Sequence, residues 1–219
     1  MRGDAARSRE GARPVPAGLT LAVAETSVAP VAESLFPRVR RADLTRAELR
    51  PETPFAGTLF ALLGGLAAGE TVGIVVPGVW HGPSRGDAPV SGPPAAGDIL
   101  APVAPGTGVL VVRDHVNLAV RGPLTGRWPA SVPRSFPCMT GIYQPLPAGV
   151  AADAPVYSRG VVAAGVRAAA RLTPFERRAL DEAGAAAYAD CLVPAVVTAA
   201  LYGLKVVACL VVRAARERE

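Results

Sequence analysis

The chain has 219 residues, half of them apolar and 19% charged, with a formal net charge of +5. That length suits one α/β domain with a sizeable core. The apolar runs are broken by Gly, Pro or Arg well short of the roughly 20 residues a membrane helix needs, so a membrane is not an expected partner.

Arginine supplies nearly all the positive charge, Lys205 being the only lysine. The basic residues are scattered and not interleaved with aromatics, so nucleic acid is not an expected partner either. With the heavy Ala, Gly, Pro and Val content, this usage fits a GC-rich genome such as an actinomycete's. Cys138, Cys191 and Cys209 form no C-x-x-C pair. They offer neither a disulfide framework nor a zinc site, and a reducing cytoplasm is the expected compartment. No metal and no cofactor is expected.

Residues 1–17 carry Arg2, Arg7, Arg9 and Arg13 but no apolar core before a cleavage site. They read as a disordered leader, not a secretory signal. The folded domain is expected over 18–214, with a charged tail at 215–219.

Leu19 to Val23 predicts a first strand, followed by Thr26-Ser27 and an apolar segment to Leu35. Arg38 to Pro51 is polar and predicts a connection with a helical turn. Ala56 to Ala67 fits strand or helix by pattern. Val72 to Val76 is a short β-branched run that predicts a buried strand ending at Pro77-Gly78. Gly82 to Pro105, rich in Gly, Pro and Ala, predicts a loop. Gly108 to Val112 predicts another buried strand, with Asp114 and His115 just past its end, where functional residues of open α/β sheets gather.

Thr173-Pro174 starts a helix, with Glu176 three residues on from the cap and Gly184 as the stop. Phe175, Leu180 and Ala183 are its expected inward positions. Ala185 to Ala189 predicts a strand, Pro194 to Tyr202 a helix, and Lys205 to Val212 a strong strand. The alternation argues for an α/β sheet.

The run Arg113-Asp114-His115-Val116-Asn117-Leu118 resembles the D-H-I-N-L segment of the trimeric purine nucleoside phosphorylase and methylthioadenosine phosphorylase family. Arg121-Gly122-Pro123-Leu124-Thr125-Gly126 is similar to that family's N-P-L-x-G. Ser135-Phe136-Pro137-Cys138-Met139-Thr140-Gly141-Ile142-Tyr143 is similar to its R-F-P-x-M-(S/T)-x-A-Y. Gly184-Ala185 and Val193-Pro194, then Gly203-Leu204-Lys205-Val206, resemble its L-G-A-D-A-V-G-M-S-T-V-P-E and G-L-R-V. The resemblance implies a single-domain nucleoside phosphorylase-like fold, a twisted mixed sheet flanked by helices, assembling as a homotrimer around small-molecule pockets.

Against that pattern the polar site residues have changed. The arginine of the family's G-R-F-H corresponds to Val79 and its histidine to His81. The phosphate turn corresponds to Ala24-Glu25-Thr26-Ser27-Val28, with a carboxylate where an anion should be welcomed. The serine of M-S-T-V-P-E corresponds to Cys191, and the ribose-contacting methionine to Asp190. The glutamate that holds the purine edge corresponds to Leu172, beside the matching Thr173, and the asparagine near purine N7 to Ala214, beside Arg213. Losing a buried hydrogen-bonding pair lowers purine discrimination by about 10⁴ in favourable cases.

These correspondences give the candidate site. Asp190 and His81 are the candidate acid/base pair. Thr26, Ser27, Val79, Phe136, Met139, Leu172, Thr173, Cys191 and Arg213 are the candidate substrate-binding residues. A carboxylate at Asp190 would have a raised pKa from desolvation unless a cation pairs with it.

The expected function is an enzyme that has lost phosphorolysis. It would use the ancestral pocket for acid/base-assisted conversion of another small molecule, such as a cyclisation or rearrangement in specialised metabolism. Two alternatives stand beside it: a non-catalytic subunit of a phosphorylase-like trimer, and a nucleoside phosphorylase or hydrolase of unusual specificity.

Overall fold

The computed structural model describes residues 18–49, 57–80, 107–118, 136–148, 150, 154–166 and 172–213. The expected leader, the 82–105 loop and the tail lie outside them. The strands are β1 (Leu19–Glu25), β2 (Arg40–Leu44), β3 (Thr71–Trp80), β4 (Thr107–Asn117), β5 (Val156–Gly165), β6 (Ala185–Ala189) and β7 (Lys205–Arg213). The helices are α1 (Ala29–Leu35), α2 (Arg46–Leu49), α3 (Thr58–Gly64), α4 (Pro174–Glu182) and α5 (Leu192–Leu201).

The strands run in the order β2-β1-β3-β6-β5-β4-β7, and β7 also pairs with β3. The mixed sheet flanked by helices is as expected from the sequence, with one difference: β3, β6, β5, β4 and β7 close into a five-stranded barrel, with β1 and β2 as an extension. The pairing is mixed, with β3–β6 and β4–β7 antiparallel and the others parallel.

Closure depends on the length of β3. One of its edges follows β7 from Thr71 to Val79. The other pairs with β1 as far as Val75 and then with β6 at Val79 and Trp80. Pro77 was expected to end this strand, yet the strand continues three residues further. Pro77 stands where β1 has ended and β6 has not begun, the stretch of β3 in which a missing N–H has fewest ladder bonds to break.

Alternate residues of the strands face two layers, as the two-residue strand period requires. Val72, Ile74 and Val76 of β3 join Val206, Ala208 and Leu210 of β7 in the cluster that packs on α3 and α5. Val75, Val207, Cys209 and Ala22 face α1, with Leu35 and Phe36. Burial on both faces explains why β7 reads as a continuous apolar run.

Several elements differ from expectation. β2 lies in the polar 38–51 stretch; it pairs only with β1 and is mostly exposed, so no apolar alternation marks it. β5 was not anticipated. α3 resolves the strand-or-helix ambiguity at 56–67 as helix. β4 runs on to Asn117, which places Asp114 and His115 within the strand and not past its end. On α4 only Leu180 is buried, while Phe175 is 79% exposed and Ala183 also faces outward. The Thr173–Glu176 capping box is present as expected.

α5 is apolar all round and is buried at nine of its ten positions, which makes it a core helix and not a surface one. Its Val193 lies so close to Gly165 of β5 that a Cβ there would sit 2.4 Å from Val193 Cγ2 and 2.8 Å from its Cβ. Gly165→Ala is expected to destabilise the protein by about 1–3 kcal/mol through overpacking. In a denaturation double-mutant cycle, Val193→Ala should recover part of that loss; simple additivity of the two changes would refute the contact.

Candidate functional site

A group of polar and charged side chains lies where β1 and β6 approach each other along one edge of β3. Ala24 pairs with Val75 and Tyr188 with Val79, and the two strands run in opposite senses. Their C-terminal ends therefore converge beside Val76, Pro77 and Gly78, forming a fork.

From β1 come Glu25, Thr26 and Ser27. Glu25 is 8% exposed, and its Oε2 accepts the Ser27 N–H at 3.0 Å and the Ser27 hydroxyl as well. The Thr26 hydroxyl donates to the carbonyl of Leu44 at 3.0 Å, tying this turn to the end of β2. From β6 come Asp190 and Cys191. Asp190 is 16% exposed, and its Oδ2 lies 3.6 Å from Arg46 Nη1, supplied by α2.

Cys191 has no exposed surface. Burial pushes its thiol well above the ordinary range, as do the charge of Asp190, a hydrogen bond with Asp190 and the charge of Glu25; Arg46 acts in the opposite direction. The thiol is therefore protonated and a poor nucleophile at neutral pH. Its side chain is enclosed between the end of β6 and the start of α5 and is 0% exposed.

The fork thus unites four sequence-predicted residues, Thr26, Ser27, Asp190 and Cys191. Val79 adjoins it on β3, 52% exposed, with its backbone in register with Tyr188 and Arg213. His81 and the side chain of Arg213 lie outside the described residues. The others have structural occupations. Leu172 packs against Ala164, Val166, Leu180, Ala185 and Tyr188. Thr173 caps α4 through Glu176. Met139 packs on the main core, and Phe136 is 85% exposed.

Arg46 is the residue that the sequence did not suggest. It follows an unmarked edge strand, and nothing in its neighbours signals that it reaches Asp190. Glu25 was visible as an oddity in the phosphate turn but was not among the expected site residues. Among the described residues, no group of three His, Cys, Asp or Glu side chains could hold a metal ion. No described helix is long and apolar enough to cross a membrane.

No family model and no curated protein matches the chain. Among solved structures, a Schistosoma purine nucleoside phosphorylase in complex with hypoxanthine superposes with a TM-score of 0.57 at 12% identity, covering 90% of this chain and 76% of that one. The fold is nucleoside phosphorylase-like. A Schistosoma mansoni purine nucleoside phosphorylase in complex with BCX-34 gives a TM-score of 0.47 at 15% identity, over 73% of this chain; the chain spans 56% of that protein's length. At these identities the likeness concerns the fold alone.

Asp114 and His115 form a separate cluster on β4. His115 Nδ1 is 2.8 Å from the Tyr143 hydroxyl, the rings meeting edge to face, and Asp114 Oδ1 accepts the His115 N–H. Burial lowers the His115 pKa, with Asp114 opposing, and burial raises that of Tyr143. Since His115 is harder to protonate folded than unfolded, its contribution to stability is complete above pH about 6.5 and falls as pH drops from there toward its depressed folded value. The thermal midpoint of the wild type should fall more steeply between pH 7.5 and pH 5 than that of His115→Gln. Parallel profiles would contradict the assignment.

Proposed function

We propose that this chain is a diverged enzyme on a nucleoside phosphorylase-like scaffold that does not carry out phosphorolysis. It uses the fork for acid/base-assisted conversion of another small molecule, by a cyclisation or rearrangement in specialised metabolism. The observation that carries the reading is Glu25. Its carboxylate already takes the N–H and hydroxyl of Ser27, donors that an entering phosphate would need. A buried carboxylate in that turn also repels an anion at short range.

The remaining chemistry agrees. Val79 supplies no positive charge, and Cys191 supplies a neutral, buried thiol. Among the described residues of the fork, Glu25 and Asp190 outnumber the one guanidinium of Arg46. A neutral or cationic ligand therefore suits the fork better than an anionic one. Asp190 is the group proposed to move a proton, since it is partly exposed at the fork and lies 3.6 Å from the Arg46 guanidinium. His81 is proposed as its partner. Assembly as a homotrimer, on the strength of the resemblance from Val112 to Tyr143, and a cytoplasmic location, on the strength of the cysteine usage, belong to the same reading.

The test is a single-turnover assay with protein in excess over inosine, adenosine or methylthioadenosine, with and without inorganic phosphate, read by chromatography of the free base. No phosphate-dependent release is expected from any of them. Release that requires phosphate would restore the phosphorylase reading and remove this one.

A further inference from the structure

The contact between Arg46 and Asp190 has a position that an ordinary surface ion pair lacks. Arg46 opens α2, just after β2 ends; Asp190 directly follows β6. Between them lies the end of β1, because β1 pairs with β2 on one side and with β3 on the other. The pair therefore crosses the C-terminal end of β1 and links α2, beyond β1, to the end of β6 on the other side of the fork. Cys191 lies against it, fully buried and within range of the charges of Asp190, Arg46 and Glu25.

The contact is loose. At 3.6 Å it is longer than the roughly 2.7–2.9 Å of a charge-assisted hydrogen bond, and Arg46 is 54% exposed. Ion pairs of this kind contribute little to stability and are weakened by salt. They break without cost to the rest of the fold, which suits a movable part.

We propose that the Arg46–Asp190 ion pair is a strap across the fork, which must open before a ligand reaches Asp190. This rests on the fork being the ligand site, and it adds how that site is closed. Arg46 acts here as a positioning residue: closed, it covers Asp190; open, it leaves the way to Asp190 clear.

Cys191 provides the reporter. In a Cys138→Ser background, iodoacetamide labelling of Cys191 is followed by site-resolved mass spectrometry, with the core residue Cys209 as the control for global unfolding. Arg46→Ala should raise the Cys191 rate by roughly two- to fivefold at low salt and leave Cys209 unchanged. In the Arg46-containing protein, 1 M NaCl should give a similar rise, since the screening length is then about 3 Å; the same salt should add nothing to Arg46→Ala.

The direction of the effect is diagnostic. Arg46 lowers the Cys191 thiol pKa, so its removal alone would slow alkylation, and acceleration reports opening. An unchanged or slower Cys191 rate, or one that rises only together with Cys209, overturns the proposal. The salt arm decides the matter if Arg46→Ala does not fold. Alkylation reads the strap whether or not the fork converts anything, so its failure is distinct from a failure of the nucleoside assay.

Discussion

One edge of β3 has to serve two strands in succession, and the rest of the molecule follows from that constraint. β1 uses the edge as far as Val75 and β6 takes it up at Val79, while β7 occupies the opposite edge throughout. The antiparallel entry of β6 closes the barrel. It also brings the C-terminal ends of β1 and β6 face to face, so that Glu25 and Asp190, distant in sequence, both act on Cys191. Closure and the candidate site are two consequences of the same pairing.

The apolar core holds this arrangement in place. α5 begins at the fork and is buried at nine of its ten positions, packed with α3 against β3 and β7. The close fit of Val193 against Gly165 fixes the helix relative to β5. Asp190 and Cys191 therefore sit at the start of a helix with little freedom to shift, whereas Arg46 is carried by a four-residue helix on the periphery. One side of the fork is rigid and the other is lightly held, which is the mechanical basis for a strap.

Much of the fold was legible in the sequence because burial on both faces writes itself as near-continuous apolar runs. β1, the first half of β3, β6 and β7 are of this kind, and the Thr173–Glu176 capping box announced α4. β2 was not legible: as an exposed edge strand it has no apolar face to display. Closure of the barrel was not legible either, since Pro77 reads as a strand end and only the pairing of β6 shows why it is tolerated. The site was half readable. Asp190, Cys191, Thr26 and Ser27 stood out as replacements in a family pattern, but Arg46 comes from the unmarked strand's far end. Phe175 was misread because an apolar residue beside a helix start need not face the core.

The central claim is that the Glu25 carboxylate holds the Ser27 donors and leaves them unavailable to an anion. The most direct test is the Ser27 amide resonance in isotope-labelled protein titrated with inorganic phosphate. The account predicts that it does not move beyond the small uniform drift that added salt produces across the spectrum. A saturable shift at Ser27, accompanied by its neighbours in the turn, would show that phosphate displaces Glu25 and would contradict the account.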